Sequence, residues 1–253
     1  SNIMRWWNPN NVIGWFDELV SRGVTTIRIS DEMFLLNKKY YVPLLELLSH
    51  RDYADQLRLW VYSRVDSVNE KYLELLRKAG VRWIALGIES ANTSIRREIT
   101  KGSFKDTDIR DVVKEIRDHD INVIANYLYG TPEDTLETMQ QTSDLACELN
   151  TEMMNCYCVQ SLPGSQLYLE AKQKGWVLPK DFVDWSFHSY GTLPLPTQHL
   201  QPAEVLKFRD EAWHRYFTRP EYLNMIEKRF GLHAKEHIQD MTKIRLKRKL
   251  LGD

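Results

Sequence analysis

Val81-Arg-Trp-Ile-Ala-Leu-Gly-Ile-Glu-Ser90 is an apolar run too short for a helix, preceded by the helix-stopping Gly80 and closed by a carboxylate. A run of that length predicts a strand buried on both faces, as in a parallel sheet covered by helices. Burying the Glu89 carboxylate at its end is costly unless a partner meets it. In a barrel of alternating strands and helices, that end of a strand opens onto the active-site face. The run therefore sets an acid where such folds put chemistry.

Outward from it the same alternation recurs. Toward the N-terminus, Asn10 to Arg22 has apolar residues at helical spacing and stops at Gly23. Val24 to Ser30 is β-branched and alternating, hence a strand, and runs into Asp31-Glu-Met-Phe34. Tyr40 to His50 is a helix with Pro43 in its first turn. Leu57 to Ser63 is a strand ending at Arg64-Val-Asp66, and Asn69 caps a helix from Glu70 to Ala79. Toward the C-terminus, helices are expected at Ala91 to Ile99 and Asp106 to His119, then a strand at Ile121 to Leu128. The turn Gly130-Thr-Pro-Glu-Asp-Thr135 leads into a helix from Leu136 to Leu149. Met153 to Gln160 is the fifth strand, closed by Leu162-Pro-Gly164 and a helix to Lys174. Five strands separated by helices carry the signature of a parallel sheet or barrel.

Residues 176–201 break the pattern with aromatics and prolines and are expected to lie against the barrel or over its mouth. Pro202 to Phe217, Glu221 to Phe230 and His233 to Leu251 then form a helical appendage. The expected organisation is a barrel core over 1–175, the irregular segment 176–201, and the appendage 202–253.

Bulk properties exclude several classes. The 35 acidic and 34 basic residues nearly cancel, so no global field points to nucleic acid or a membrane surface. No apolar run approaches the roughly 20 residues that span a bilayer. The opening Ser1-Asn-Ile-Met-Arg-Trp-Trp lacks the apolar core of a signal peptide. Three cysteines argue against a disulfide scaffold and for a reducing compartment, so the cytoplasm is the expected location.

At the C-terminal ends of the five strands stand Asp31 and Glu32, Arg64, Glu89 and Ser90, Asn126 with Gly130, and Gln160. Together they resemble a site for a polar cofactor.

The set also resembles a known family. Asp31-Glu-Met-Phe34, Arg64-Val-Asp66, Gly87-Ile-Glu-Ser90, Gly130-Thr-Pro-Glu-Asp-Thr135 and Leu162-Pro-Gly164 occur in the order and spacing of radical SAM enzymes. The likeness is greatest to the branch that carries an N-terminal cobalamin-binding domain. It implies an α/β fold, a partial (β/α)6 TIM-like barrel of which five strands are present here and the first βα unit is missing. It further implies S-adenosylmethionine, a four-iron–four-sulfur (4Fe-4S) cluster and reductive cleavage to a 5′-deoxyadenosyl radical that abstracts a substrate hydrogen. Cobalamin-dependent methylation or rearrangement would follow, on a small-molecule substrate, with an electron donor such as flavodoxin or ferredoxin.

Carried over by residue, Asp31 and Glu32 stand where strand backbone meets the methionyl ammonium. Arg64 is placed for the methionyl carboxylate, and Glu89, with Ser90 beside it, for the ribose or methionyl part. Asn126 faces the same cavity, and Gln160 to Leu162 lie where backbone meets adenine. A zwitterion carrying a sulfonium needs both carboxylate and guanidinium partners, and arginine offers bidentate geometry.

Two departures stand out. The family turn reads Gly-x-Pro-Gly-Glu-Thr, and here Glu133-Asp134 replace Gly-Glu. The loop Cys-x3-Cys-x2-Cys, whose thiolates hold such clusters, is absent from the sequence; only Cys147, Cys156 and Cys158 occur. Cys156 and Cys158 share one face of a strand and are expected to be buried small hydrophobes. The chain is thus expected to be a fragment whose cluster loop and cobalamin domain lie upstream, inactive as given, with no metal ligands of its own. The alternatives are a non-catalytic barrel adaptor without the cluster, and a hydrolase or lyase on a complete (β/α)8 barrel.

Other features have bland readings. His233 and His237, four apart on a helix, lack the His-Glu-x-x-His pattern and are expected on a solvated surface. Lys243, Arg245, Lys247, Arg248 and Lys249 would complement a helix C-terminus. Trp176, Phe182, Trp185, Phe187 and Tyr190 either cover a substrate cavity or bury their own segment.

Overall fold

The computed structural model describes residues 5–99 and 108–253. In chain order its elements are α1 (Pro9–Ser21), β1 (Thr26–Arg28), α2 (Lys38–Ser49), β2 (Arg58–Arg64), α3 (Leu73–Lys78), β3 (Val81–Glu89), α4 (Thr93–Ile99), α5 (Ile109–Asp118), β4 (Asn122–Tyr129), α6 (Leu136–Leu149), β5 (Met153–Cys158), α7 (Gln166–Gln173), α8 (Pro202–Thr218), α9 (Pro220–Phe230) and α10 (Leu232–Lys243). The five strands are parallel and lie in one sheet in the order β1-β2-β3-β4-β5, the α/β arrangement of a partial TIM-like barrel. β1 stands at the sheet edge and is only three residues long, shorter than the Val24 to Ser30 expected. Asp106 and the residue after it, where the helix before β4 is expected to begin, lie outside the described residues.

Two compact units divide the chain: Ser1–Ile88 with Lys105–Ala125, and Glu89–Phe104 with Asn126–Asp253. In the first unit, Asn8 caps α1 by accepting from the Asn10 amide at 2.9 Å, and Pro9 occupies the first turn, where its missing N–H costs nothing. Asn37 caps α2 in the same way, at 3.1 Å to the Lys39 amide. The helix thus begins two residues earlier than the sequence suggests, and Pro43 falls inside it rather than in its first turn. Along β2, Leu59 and Val61 are fully buried while Trp60, Tyr62 and Arg64 are half-buried, so the strand has a helix-covered face and a more open one. Burial of each such aliphatic side chain contributes about 1.5–3 kcal/mol.

β2 and β3 pair in register from Trp60 opposite Trp83 to Arg64 opposite Gly87. Below that, Leu59 faces Val81, so Arg82 is an extra residue on β3, a bulge. Asn122 closes the bulge by donating to the Arg82 carbonyl at 3.0 Å.

In the second unit, Met154, Cys156 and Cys158 are buried, and Arg209 of α8 donates through Nε to the Cys156 carbonyl at 2.9 Å. The two cysteines are buried small hydrophobes, as expected. At the end of β4, Gly130 has φ +81°, and a Cβ there would lie 2.5 Å from Val205 Cγ1 of α8. Only glycine satisfies both demands. The turn after it shows how Glu133-Asp134 can replace Gly-Glu. Asp134, 2% exposed, accepts from the Thr131 amide (2.8 Å), the Thr131 hydroxyl (2.9 Å) and the Thr138 hydroxyl (2.7 Å). Thr135 then caps α6 reciprocally with Thr138. The carboxylate ties the turn together locally, so the altered motif still stops a strand and starts a helix.

The tail departs from expectation. α10 ends at Lys243 instead of Leu251; the chain then runs without regular structure to a short 3-10 turn at Lys249–Leu251. Arg248, expected at a basic helix end, is 1% exposed and paired with Asp210 of α8. Reaching that half-buried carboxylate fixes Arg248 in place, and a basic residue in a helical-looking window gives no sign of it.

Candidate functional site

The residues at the strand ends are held by their own local chemistry. In the first unit, Asp31 lies just past β1 and accepts from the Met33 amide at 3.1 Å, which fixes the turn, while Glu32 is exposed. Arg64, the last residue of β2, is gripped by Asp66: Nε donates to Oδ1 at 2.9 Å and Nη2 to Oδ2 at 2.6 Å. With side chains only 26% and 8% exposed, the pair is a half-buried fork that fixes the guanidinium plane. The sequence motif contains Asp66 without revealing this role. Its signal is the two-residue spacing at a strand end.

In the second unit, Glu89 ends β3 with φ +66°, a left-handed conformation that a residue with a side chain seldom adopts. The two residues after it are pinned. Ser90 is 1% exposed and shares a hydrogen bond with Thr142 Oγ1 at 3.2 Å, which also accepts from the Ala91 amide at 3.0 Å. Arg96, of α4, donates through Nη1 to the Ser90 and Ala91 carbonyls, both at 2.7 Å. The Ser90 hydroxyl thus serves the backbone, and this network holds Glu89 in its strained conformation. Such strain costs about 1–3 kcal/mol and persists where neighbours over-determine it, often at functional sites.

Asn126 accepts from Asn155 Nδ2 at 3.0 Å, an amide pair joining β4 to β5. Beyond β5, Gln160 is 8% exposed, and among the described residues neither its Oε1 nor its Nε2 has a hydrogen-bond partner; the buried Ser161 hydroxyl also lacks one. Leu162 is 52% exposed, with its backbone tied to Gln160 and Ser165. The Ser161 carbonyl accepts from Trp185 Nε1 at 2.8 Å, and Phe187 packs on Tyr157 with centroids 4.9 Å apart. Segment 176–201 thus covers part of β5, although Phe182 is 86% exposed.

Buried unpaired amide and hydroxyl groups are expensive, and a ligand that both donates and accepts would satisfy Gln160. The edge of an adenine does so. Gln160 therefore fits the adenine part of S-adenosylmethionine. The residues present do not fit an iron–sulfur cluster: burial pushes the Cys156 thiol up to about 11 and the Cys158 thiol to about 12. Cys147 sits apart on α6. Among the described residues no three His, Cys, Asp or Glu side chains form a metal-binding group, and His233 and His237 are exposed.

A cavity of about 440 Å³ in the first unit is lined mainly by apolar groups, Trp6, Trp7, Trp15, Ile27 and Ile29 among them, together with the charged Arg5 and Asp31. Arg64 and Glu32 do not line it.

Among protein families, the model of the radical SAM superfamily matches residues 2–146. The chain is 23% identical over 223 residues to an uncharacterised methyltransferase of Pyrococcus horikoshii, covering 88% of this chain and 47% of that protein. It is 22% identical over 215 residues to an anaerobic magnesium-protoporphyrin IX monomethyl ester cyclase of Cereibacter sphaeroides, covering 84% and 34%. Among solved structures, the radical S-adenosylmethionine methyltransferase TsrM of Kitasatospora setae, with cobalamin and a [4Fe-4S] cluster bound, superposes with a TM-score of 0.67 at 18% identity over 93% of this chain and 56% of that one. The chain spans less than half the length of these curated relatives.

Proposed function

This chain belongs to the radical SAM superfamily, and from that premise we propose that it is the cofactor-holding core of an enzyme that methylates or rearranges a small molecule at an unactivated carbon. The family's cofactors are S-adenosylmethionine and a four-iron–four-sulfur cluster. Bound here, S-adenosylmethionine supplies a methyl group or a carbon-centred radical. The observation that carries the reading is Glu89, an acid held at φ +66° by buried neighbours at a strand end.

Within this reading Glu89 accepts hydrogen bonds from the ribose hydroxyls or the methionyl ammonium. Arg64, aimed by Asp66, meets the methionyl carboxylate, and Asp31 and Glu32 supply backbone and charge near the ammonium. Gln160 reads the adenine edge, with the Leu162 backbone beside it. Ser90 and Asn126 hold Glu89 and the β4–β5 pair in position. A cluster loop and a cobalamin-binding region elsewhere in the whole protein, a one-electron donor of the flavodoxin or ferredoxin class, and a cytoplasmic location belong to the same proposal. No helix among the described residues is long and apolar enough to cross a membrane.

The test is titration calorimetry of S-adenosylmethionine into the full-length protein and its Glu89→Gln variant, with circular dichroism as a folding control. Removing the charge is expected to weaken binding by about 1–3 kcal/mol, the scale of one charge-assisted hydrogen bond. Unchanged affinity in a folded variant takes Glu89 out of the site.

A further inference from the structure

One cation of the first unit lies outside the cofactor reading. Arg28, at the end of β1, is exposed, and among the described residues its guanidinium has neither a hydrogen-bond nor an ion-pair partner. It lies instead over two aromatic rings, 5.0 Å from the centroid of Trp60 and 5.1 Å from that of Tyr62. Those rings stack on each other, with centroids 5.8 Å apart and planes 29° from parallel. Arg28 is the register partner of Trp60, and Trp60 of Trp83, so all three share the more open face of the sheet. On that face the Trp60 indole Nε1 is buried and has no acceptor among the described residues.

The donors here outnumber the acceptors. An arginine stacked on rings keeps its N–H edges turned outward in a fixed fork that matches a carboxylate. The rings hold the cation in place and leave it unneutralised. Half-buried tryptophan and tyrosine beside it present apolar area to a flat body. We propose that Arg28, Trp60, Tyr62 and Trp83 form a binding shelf for an aromatic carboxylate, the carboxylate on Arg28 and the ring system along the aromatic row. As a substrate site it rests on the reading that the whole protein acts on a small molecule; as a binding site it stands on these residues alone.

Titration calorimetry with naphthalene-2-carboxylate as probe tests it on the full-length protein. The carboxylate is expected to bind at one site, and naphthalene-2-carboxamide at least tenfold more weakly. Arg28→Met is expected to lose at least tenfold in affinity. Arg28→Lys, which keeps the charge without the fork, falls between. Trp60→Phe, which keeps a ring and deletes the indole N–H, loses a smaller factor. Equal affinity of Arg28→Met and wild type, or competition by inorganic phosphate at the naphthoate concentration range, overturns the shelf, the second because it marks a bare anion site. S-adenosylmethionine titrated into the same proteins separates the two readings. Its binding is expected to be unchanged in Arg28→Met. Loss of cofactor binding with Arg28-dependent naphthoate binding intact removes the cofactor reading alone; the converse removes the shelf alone.

Discussion

Arg248 and Asp210 meet through two parallel hydrogen bonds, Nε to Oδ2 at 2.8 Å and Nη2 to Oδ1 at 3.0 Å, with the arginine side chain 1% exposed. Arg209 donates to the same carboxylate at 2.7 Å, and Arg248 Nη1 also reaches the Ser189 carbonyl at 2.9 Å. Replacing Arg248 by Met leaves Asp210 half served and the Ser189 carbonyl unmet. The expected loss is about 2–3 kcal/mol, below the ~3–5 typical of a broken buried pair because Arg209 remains. Urea unfolding of both proteins measures it.

The same carboxylate gives a pH dependence. Burial alone would raise the pKa of Asp210, but the hydrogen bonds and charges of Arg248 and Arg209 hold it below the usual carboxylate range. Its folded value is depressed, so its stabilisation is full above the unfolded value of about 3.9 and is lost as pH falls through the folded one. The stability gap between wild type and Asp210→Asn is therefore expected to be largest at neutral pH and to shrink below about pH 4. A gap that stays constant from pH 7 to pH 3 would contradict this.

Gly130 carries two independent constraints, φ +81° and the approach of Val205. Gly130→Ala is expected to destabilise by about 2–4 kcal/mol, combining a left-handed penalty with overpacking. Adding Val205→Ala opens the space and leaves the backbone penalty, so the double variant recovers only part of that loss. Full recovery would show that the φ constraint contributes nothing.

Glu89 separates strain from function. Glu89→Gly relieves a left-handed residue and is expected to leave stability unchanged or raise it by about 1 kcal/mol, while cofactor binding falls as in Glu89→Gln. Thermal unfolding and calorimetry on one preparation read both quantities. A marked loss of stability would mean that the side chain holds the strand end.

The cysteines differ in burial. Cys156 and Cys158 are buried on β5 with thiols pushed up to about 11 and about 12, whereas Cys147 is only partly buried. Alkylation of the native chain at pH 8 followed by mass spectrometry is expected to label Cys147 first and the β5 pair only on unfolding.

Much of the fold was legible because the apolar runs at 57–63, 81–89 and 121–128 have strand length and sit between helix-stopping residues. A sheet buried by helices leaves that mark directly in composition. The strand ends were legible for the same reason, since polarity begins where burial stops. What escaped is the pairing of particular side chains, near and far in the sequence. That Asp66 aims Arg64, that Thr142 and Arg96 lock the chain after Glu89, and that Asp134 rebuilds an altered turn all depend on side-chain pairing, which has no period. The end of α10 at Lys243 escaped similarly, since Arg248 looks like any solvated cation until Asp210 is placed beside it.

The bond from Arg248 to the Ser189 carbonyl joins residues 59 apart in the chain. A ribosome adding roughly 5–20 residues per second takes about 3–12 s to cover that distance. During that interval Ser189 and its neighbours have been synthesised, but their buried arginine does not yet exist. The Ser189 carbonyl is therefore among the last groups of segment 176–201 to gain its partner, whereas Trp185 and Phe187 need nothing beyond residue 201 to meet Ser161 and Tyr157.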